Sequence, residues 1–475
     1  MPENNDRPNI LFITGDQHNA DCLGFMGRRM VHTPNLDDLA ARGAHFRNMF
    51  TCCPICGPSR TSFYTGTFAR THENMFMCSD LRREFSSITT ELGEAGYTRA
   101  LFGKGHLPGV IAKYFDHHAG PDQYRRNLEN KGLQRNPHGP EVNKNFQSFT
   151  SPLPEEDTWA GWTSRRTIDF LRSDAAAESP FFCACSFGPP HAPHCPPQRF
   201  EDMYDPDEVP IDWEEYERFE NSRMQNRPNI EDFWKLGSVR HDPTIFQKAV
   251  SRYLALVSQV DHEVGEILKT LEETGQADNT IVIYTSDHGD FAGNYGQLGK
   301  NLPGYDHLLR IPFLYYDPTR EADAGREVNG FHQNVDFFPT LLDRIGRDVP
   351  PTVQGESLLP ALDGRPGSGR DLVFAETTMA KTVRSPDWKL NFYVRHPERG
   401  QLFRMGTNPD ETNNLWDDPD VAHIRENLLR ELTTWMVECE QPVVMCSTWE
   451  EHIETRWYRW LQEQPHQAET PESQH

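Results

Sequence analysis

Asn9-Ile-Leu-Phe-Ile-Thr14 runs straight into Gly15-Asp16-Gln17, and Thr280-Ile-Val-Ile-Tyr-Thr285 runs into Ser286-Asp287-His288-Gly289-Asp290. Both are short, almost wholly apolar stretches rich in β-branched residues, the pattern of strands buried on two faces. Each ends in polar residues, and open α/β sheets gather their sites just beyond such strand ends. Between them lie helical signals. Pro34 to Gly43 has an N-terminal Pro, helical apolar spacing and a terminal Gly. Thr89 to Gly96 reads as a short helix before a strand from Tyr97 to Phe102, and Phe181 to Phe187 as another buried strand. Leu256, Val260, Val264, Ile267, Leu268 and Leu271 mark a long helix from about Phe246. Strands alternating with helices predict an α/β fold with a large, mostly parallel central sheet flanked by helices.

Further along, the pattern changes. Leu372–Glu376, Lys389–Val394 and Gln401–Arg404 read as short strands, and Ala422 to Val437 as a helix. This predicts a catalytic α/β domain over 1–370 and a smaller α+β subdomain over 371–475, with a frayed tail beyond Gln462. Two polar stretches of poor periodicity, Pro121–Trp159 and Asp205–Asp242, are expected to be excursions or lids over the sheet edge.

Composition narrows the function. The 475 residues carry 47 Lys+Arg against 71 Asp+Glu, a formal charge of −24. So acidic a chain argues against nucleic acid or an anionic membrane as partner, and an anionic substrate would need a local cationic pocket. No apolar run approaches the roughly 18–20 residues of a membrane span. The polar N-terminus and ten scattered cysteines predict a reduced, cytoplasmic protein. Trp449, Trp457, Tyr458 and Trp460 suggest a surface for a homodimer or homotetramer, packing on the chain's own domain being the alternative.

The chemistry is concentrated in Cys56-Gly-Pro-Ser-Arg60-Thr-Ser-Phe-Tyr-Thr-Gly66. A loop running into a helix start is an anion site through its free N–H groups; a buried Cys before a helix is the plainer alternative. Cys53-Pro-Ile-Cys56, with Cys52 and His72 nearby, also has the spacing of a zinc knuckle, but no second pair follows. Cys183 and Cys185 alternate within an apolar strand and are expected in the core, while His194 and Cys195 are pocket lining or loop.

Cys56 to Gly66 resembles the signature of the sulfatase family, Cys-x-Pro-Ser-Arg-x-x-x-x-Thr-Gly, in the alkaline-phosphatase-like superfamily. Further stretches are similar and fall in the family's order: Arg7 to Ile13, Thr33 to Ala40, Gly103-Lys-Gly-His106, Pro190-His-Ala-Pro193, Thr285 to Asp290, Gly299-Lys300, Val335 to Leu342, Val353 to Leu358, and Leu402-Phe403 with Asn414-Leu415. The resemblance implies a sulfuric ester hydrolase in which Cys56 is oxidised to formylglycine (3-oxoalanine) by a maturation enzyme. The hydrated aldehyde attacks a small anionic sulfate ester, and sulfate then leaves by elimination. It also implies one divalent cation on Asp16, Gln17, residue 56, Asp287 and His288. Carboxylates favour Ca²⁺ and an imidazole ligand shifts the preference toward Mn²⁺. By the same resemblance Arg60 holds the formylglycine, Lys104 and Lys300 contact the sulfate, and His191 and Lys300 flank the leaving oxygen. His106 assists release of sulfate, and Asp287 doubles as base.

Asp16-Gln17 and Asp287-His288 stand where many members have Asp-Asp and Asp-Asn. This pairing is more similar to the choline-sulfatase and phosphonate-monoester-hydrolase branch, so a phosphonate monoester or phosphodiester hydrolase is the alternative. A catalytically silent anion-binding protein on the same fold is the rival of another class, and Cys56, Arg60, Lys104, His106 and Lys300 argue against it.

Overall fold

The computed structural model describes residues 7–439, apart from 28–30, 77–80, 82–84, 134–147, 226–238, 241, 301–303, 407–408 and 410. Nine strands form the main sheet: β1 (Asn9–Asp16), β2 (Ala44–Phe50), β3 (Thr98–Gly103), β4 (His117–Ala119), β5 (Phe181–Pro190), β6 (Thr280–Thr285), β7 (Arg310–Ile311), β8 (Phe313–Tyr316) and β9 (Arg326–Gln333). Their order is β4-β3-β5-β1-β6-β8-β2-β7, with β9 also paired to β2. The strands from β4 to β6 run parallel, whereas β8 is antiparallel to both of its neighbours.

Alternation along these strands builds two cores. Ile10, Phe12, Phe182, Ile281 and Ile283 face one side, where the Cys56–Thr65 and Phe337–Arg344 helices pack. Leu11, Ile13, Cys183, Cys185, Val282 and Tyr284 face the other, against the Pro34–Arg42, Trp159–Leu171 and Pro243–Glu273 helices. Cys183 and Cys185 are core residues, as their alternation predicts.

Register then decides what meets at the carboxyl ends. Thr14 lies beside Thr285 on one side and Ser186 on the other, and Gly103 lies beside Ser186. Asp16, Lys104, Ser186 and Asp287 therefore emerge together from four strands.

A second, antiparallel sheet comprises β10 (Val373–Glu376), β11 (Ala380–Arg384), β12 (Trp388–Tyr393) and β13 (Gly400–Arg404), in that order. The Ala422–Cys439 helix buries Leu428, Leu432 and Trp435 against it. Strand β11 has no counterpart in the sequence expectation. Its Ala-Lys-Thr-Val-Arg lacks an apolar run, and beside Ala380 and Val383 it buries polar residues satisfied within the protein, such as Thr382 on Asn391 (2.7 Å).

Two segments expected to lack periodicity contain helices. Pro121–Asn130 follows a Gly120 cap and buries Leu128. Trp213–Gln225 spaces Trp213, Tyr216 and Phe219 three apart, and Phe219 stacks on Tyr295 at 4.9 Å. The aromatic tail residues Trp449, Trp457, Tyr458 and Trp460 lie outside the described residues.

Candidate active site

Cys56 opens a ten-residue helix, every residue of which is buried. Pro58 sits in the first turn, where a missing N–H costs no intrahelical bond. Ser59 anchors the helix to the site: its Oγ donates to the Asp287 carbonyl at 2.5 Å and accepts from Asn334 Nδ2 at 3.1 Å. At the other end Gly66 adopts a left-handed φ of 64°, and a Cβ there would lie 2.8 Å from Val353.

Around Cys56 Sγ stand Lys300 Nζ at 2.9 Å, His288 Nε2 at 3.3 Å, Asp16 Oδ1 at 3.8 Å and Lys104 Nζ at 3.9 Å. Burial and Asp16 push the thiol up, but His288, Lys300 and His106 prevail and hold it well below the ordinary thiol range. Burial likewise pushes Asp16 up, yet Lys104, His191, Arg60 and Lys300 hold its carboxyl well below the usual carboxylate range.

Arg60 organises the two carboxylates. Its Nε donates to Asp287 Oδ2 and its Nη2 to Asp16 Oδ2, each at 2.9 Å, while Nη1 serves the Lys104 carbonyl (2.8 Å) and Ser186 Oγ (2.6 Å). These bonds run to the groups flanking Cys56 rather than to Sγ, so Arg60 acts on residue 56 through Asp16 and Asp287. The other Asp287 oxygen accepts the backbone N–H groups of Gln17 (3.0 Å) and His288 (3.1 Å).

Asp16, Cys56, Asp287 and His288 are all buried, and one donor atom from each lies within 4.8 Å of the others. That set suits a divalent cation: two anionic oxygens, an imidazole and the oxygen that residue 56 would carry once oxidised. His288 Nδ1 lies 2.9 Å from the Gly289 carbonyl. The proton this bond requires on Nδ1 leaves the Nε2 lone pair to face the cluster. Burial and Lys300 lower the His288 pKa, but Asp287 and Cys56 raise it on balance, so a cation competes there with a proton. Gln17, at φ 67°, gives its amide nitrogen to Asp290 Oδ2 at 2.5 Å, which leaves its amide oxygen as the atom it could offer a metal.

Lys300 Nζ touches His288 Nε2 at 2.8 Å besides Cys56, and Lys104 Nζ pairs with Asp16 Oδ2 at 2.7 Å. His106 has a left-handed φ of 47°, and its buried Nδ1 has no partner among the described residues. His191 rests Nδ1 on the Ala192 carbonyl at 2.6 Å. Lys104, His106 and His191 line a cavity of about 470 Å³. All seven expected catalytic residues thus converge. Cys195 lines the same cavity, whereas His194 is buried edge-on to Tyr253.

The zinc-knuckle spacing does not form a thiolate site. Cys52 and Cys53 lie in an apolar cluster, burial pushes the Cys52 thiol up to about 12, and His72 bonds Ser62 instead. Sequence reasoning missed Ser186, Asp290 and Asn334, which hold Arg60, Gln17 and Ser59. The polar Ser186 within an otherwise apolar strand was the available signal for the first.

Two family models match the chain: one described as Sulfatase, over residues 8–347, and one described as N-sulphoglucosamine sulphohydrolase, C-terminal, over residues 293–438. An arylsulfatase of Clostridium perfringens is 29% identical over 90% of this chain and 94% of its own length. A choline-sulfatase of Rhizobium meliloti is 28% identical over 87% and 83%. In fold, the phosphonate monoester hydrolase of Agrobacterium radiobacter superposes with a TM-score of 0.79 at 24% identity, over 91% of this chain and 96% of that one. The matched span contains the Cys56 helix, both lysines and the four-residue buried cluster, and on it the chain belongs to the sulfatase family, a family of sulfuric ester hydrolases.

Proposed function

We propose that the chain hydrolyses sulfate monoesters in the manner of an arylsulfatase, with residue 56 working as formylglycine beside one divalent cation. The observation that carries this is the position of Lys300 Nζ, 2.9 Å from Cys56 Sγ and 2.8 Å from His288 Nε2, at the edge of the buried Asp16–Cys56–Asp287–His288 group. When bound, the cation and the oxidised side chain would supply a hydroxyl of lowered pKa as nucleophile and a positive charge for the ester.

The chain's own residues do the rest. Lys300 and Lys104 place positive charge on the non-bridging oxygens, where charge grows in the transition state. Arg60 pairs with Asp16 and Asp287 and aims both carboxylates inward. Asp287 is positioned as base toward residue 56. His191 and Lys300 are the donors for the leaving oxygen, and His106, whose Nδ1 is unpartnered among the described residues, takes the proton released when sulfate departs. A second reading, phosphonate monoester hydrolysis, is favoured by Gln17 and His288 standing beside the two aspartates; both substrates are tetrahedral anions.

The mass of the peptide containing Cys56 tests the nucleophile. Conversion to formylglycine removes about 18 Da, whereas an unmodified thiol after co-expression with a formylglycine-generating enzyme would overturn it. Comparing kcat/KM for an aryl sulfate and an aryl phosphonate ester decides between the two readings.

A further inference from the structure

The cavity of about 470 Å³ beside Lys104, His106 and His191 is too large for the sulfate group alone and falls in the range of small-molecule sites. Beyond those three residues its lining includes a group of apolar and aromatic side chains: Trp159, Tyr124, Leu153, Leu256 and Pro121. The rings are fixed. Trp159 stacks on Trp162 at 5.7 Å with 14° between planes and meets Tyr124 edge-on at 4.5 Å, and the Tyr124 hydroxyl donates to the Asp157 carbonyl at 2.9 Å. Gly188, two residues before the strand end, makes room for the indole: a Cβ there would lie 2.1 Å from both Trp159 Cδ1 and Nε1.

Polar side chains in the wall are mostly spent within the protein. Gln259 Nε2 donates to Thr158 Oγ1, Thr158 Oγ1 donates to the Glu155 carbonyl, and Ser151 Oγ accepts from Leu153 N. Arg125 gives Nη2 to Asp122 and keeps a buried Nε without a partner among the described residues. These few remaining donors do not match the several hydroxyls of a sugar ring, which would lose water without replacement.

We propose, on the basis of sulfate ester hydrolysis at residue 56, that this cavity binds the alcohol part of the ester. Its occupant is a planar aromatic alcohol packed on Trp159, and Trp159, Tyr124 and Gly188 set that preference. Rigid aromatic walls reward flat apolar surface and offer nothing comparable to a small alkyl group.

The test compares kcat/KM of the matured enzyme for 4-methylumbelliferyl sulfate, a short alkyl sulfate and glucosamine 6-sulfate. The aryl ester is expected to be preferred, and Trp159→Ala to lower the aryl-to-alkyl ratio by about tenfold or more, chiefly through KM. Trp159→Phe keeps the ratio, and Gly188→Ala lowers it by displacing the indole. Calorimetric binding of 4-methylumbelliferone to Cys56→Ala reads the cavity without turnover. Preference for the sugar sulfate, or an aryl-to-alkyl ratio and phenol binding both indifferent to Trp159, overturns the proposal. Phenol binding that depends on Trp159 in a protein that turns over no sulfate ester supports the cavity and overturns the activity beneath it.

Discussion

Lys300 Nζ stands 2.9 Å from Cys56 Sγ, closer than His288, Asp16 or Lys104. Thiol and ammonium are mutually adapted: Cys56 raises the Lys300 pKa against the effect of burial, and Lys300 helps to lower that of Cys56. Lys300→Ala is therefore expected to reduce kcat by about 10²–10³ with little change in fold, a loss of transition-state charge stabilisation. Steady-state kinetics beside a circular-dichroism spectrum checks it.

Arg60 is the counter-charge for two buried carboxylates. Removing it in Arg60→Ala leaves Asp16 and Asp287 short of a partner, at a cost of about 3–5 kcal/mol. Arg60→Lys can serve one carboxylate but not both, because a single ammonium lacks the fork of a guanidinium. The expected order of unfolding midpoints in urea is wild type, Lys, then Ala.

Cation binding should be visible apart from turnover. Chelator-treated protein is expected to gain about 2.7 kcal/mol of stability when Ca²⁺ or Mn²⁺ reaches a hundredfold excess over its Kd. Asp16→Asn, which removes one anionic ligand, should abolish the rise. Thermal unfolding with and without each ion measures both.

Stability should also carry the mark of a carboxyl far from the site. Glu263 is 7% exposed, and burial, against a bond from Ser164, pushes its pKa up from 4.5 to about 7. Raised in the folded state, it contributes stability that is fully present below pH 4.5 and lost as pH climbs through about 7. The loss amounts to about 3 kcal/mol. Glu263→Gln should be flatter in melting temperature between pH 5 and pH 8 than wild type.

The strand ends of β1 and β6 were legible because both strands are apolar runs that stop at a carboxylate, and position on a parallel sheet then brings Asp16 and Asp287 together. The cluster around Cys56 was legible through motif order. The Trp159 wall was not: it lies on a helix whose neighbours Tyr124 and Gly188 are 35 residues before and 29 after it, and nothing local announces that a missing Cβ admits an indole. Nor was Arg60 legible as a bridge between two carboxylates, since its partners lie 44 and 227 residues away. Strand β11 and the Trp213–Gln225 helix were hidden because their burial depends on partners contributed by distant segments.

The burial of the whole Cys56–Thr65 helix has a consequence in time. Cys56 is 1% exposed, and its neighbours Asp16 at the end of β1, Lys104 just after β3 and His288 just after β6 are drawn from across 272 positions of chain. Another protein can grip this segment only while the sheet is still open. If residue 56 works as formylglycine, as proposed above, its oxidation by another protein is a race against folding, and a molecule that closes first keeps its thiol until it unfolds again.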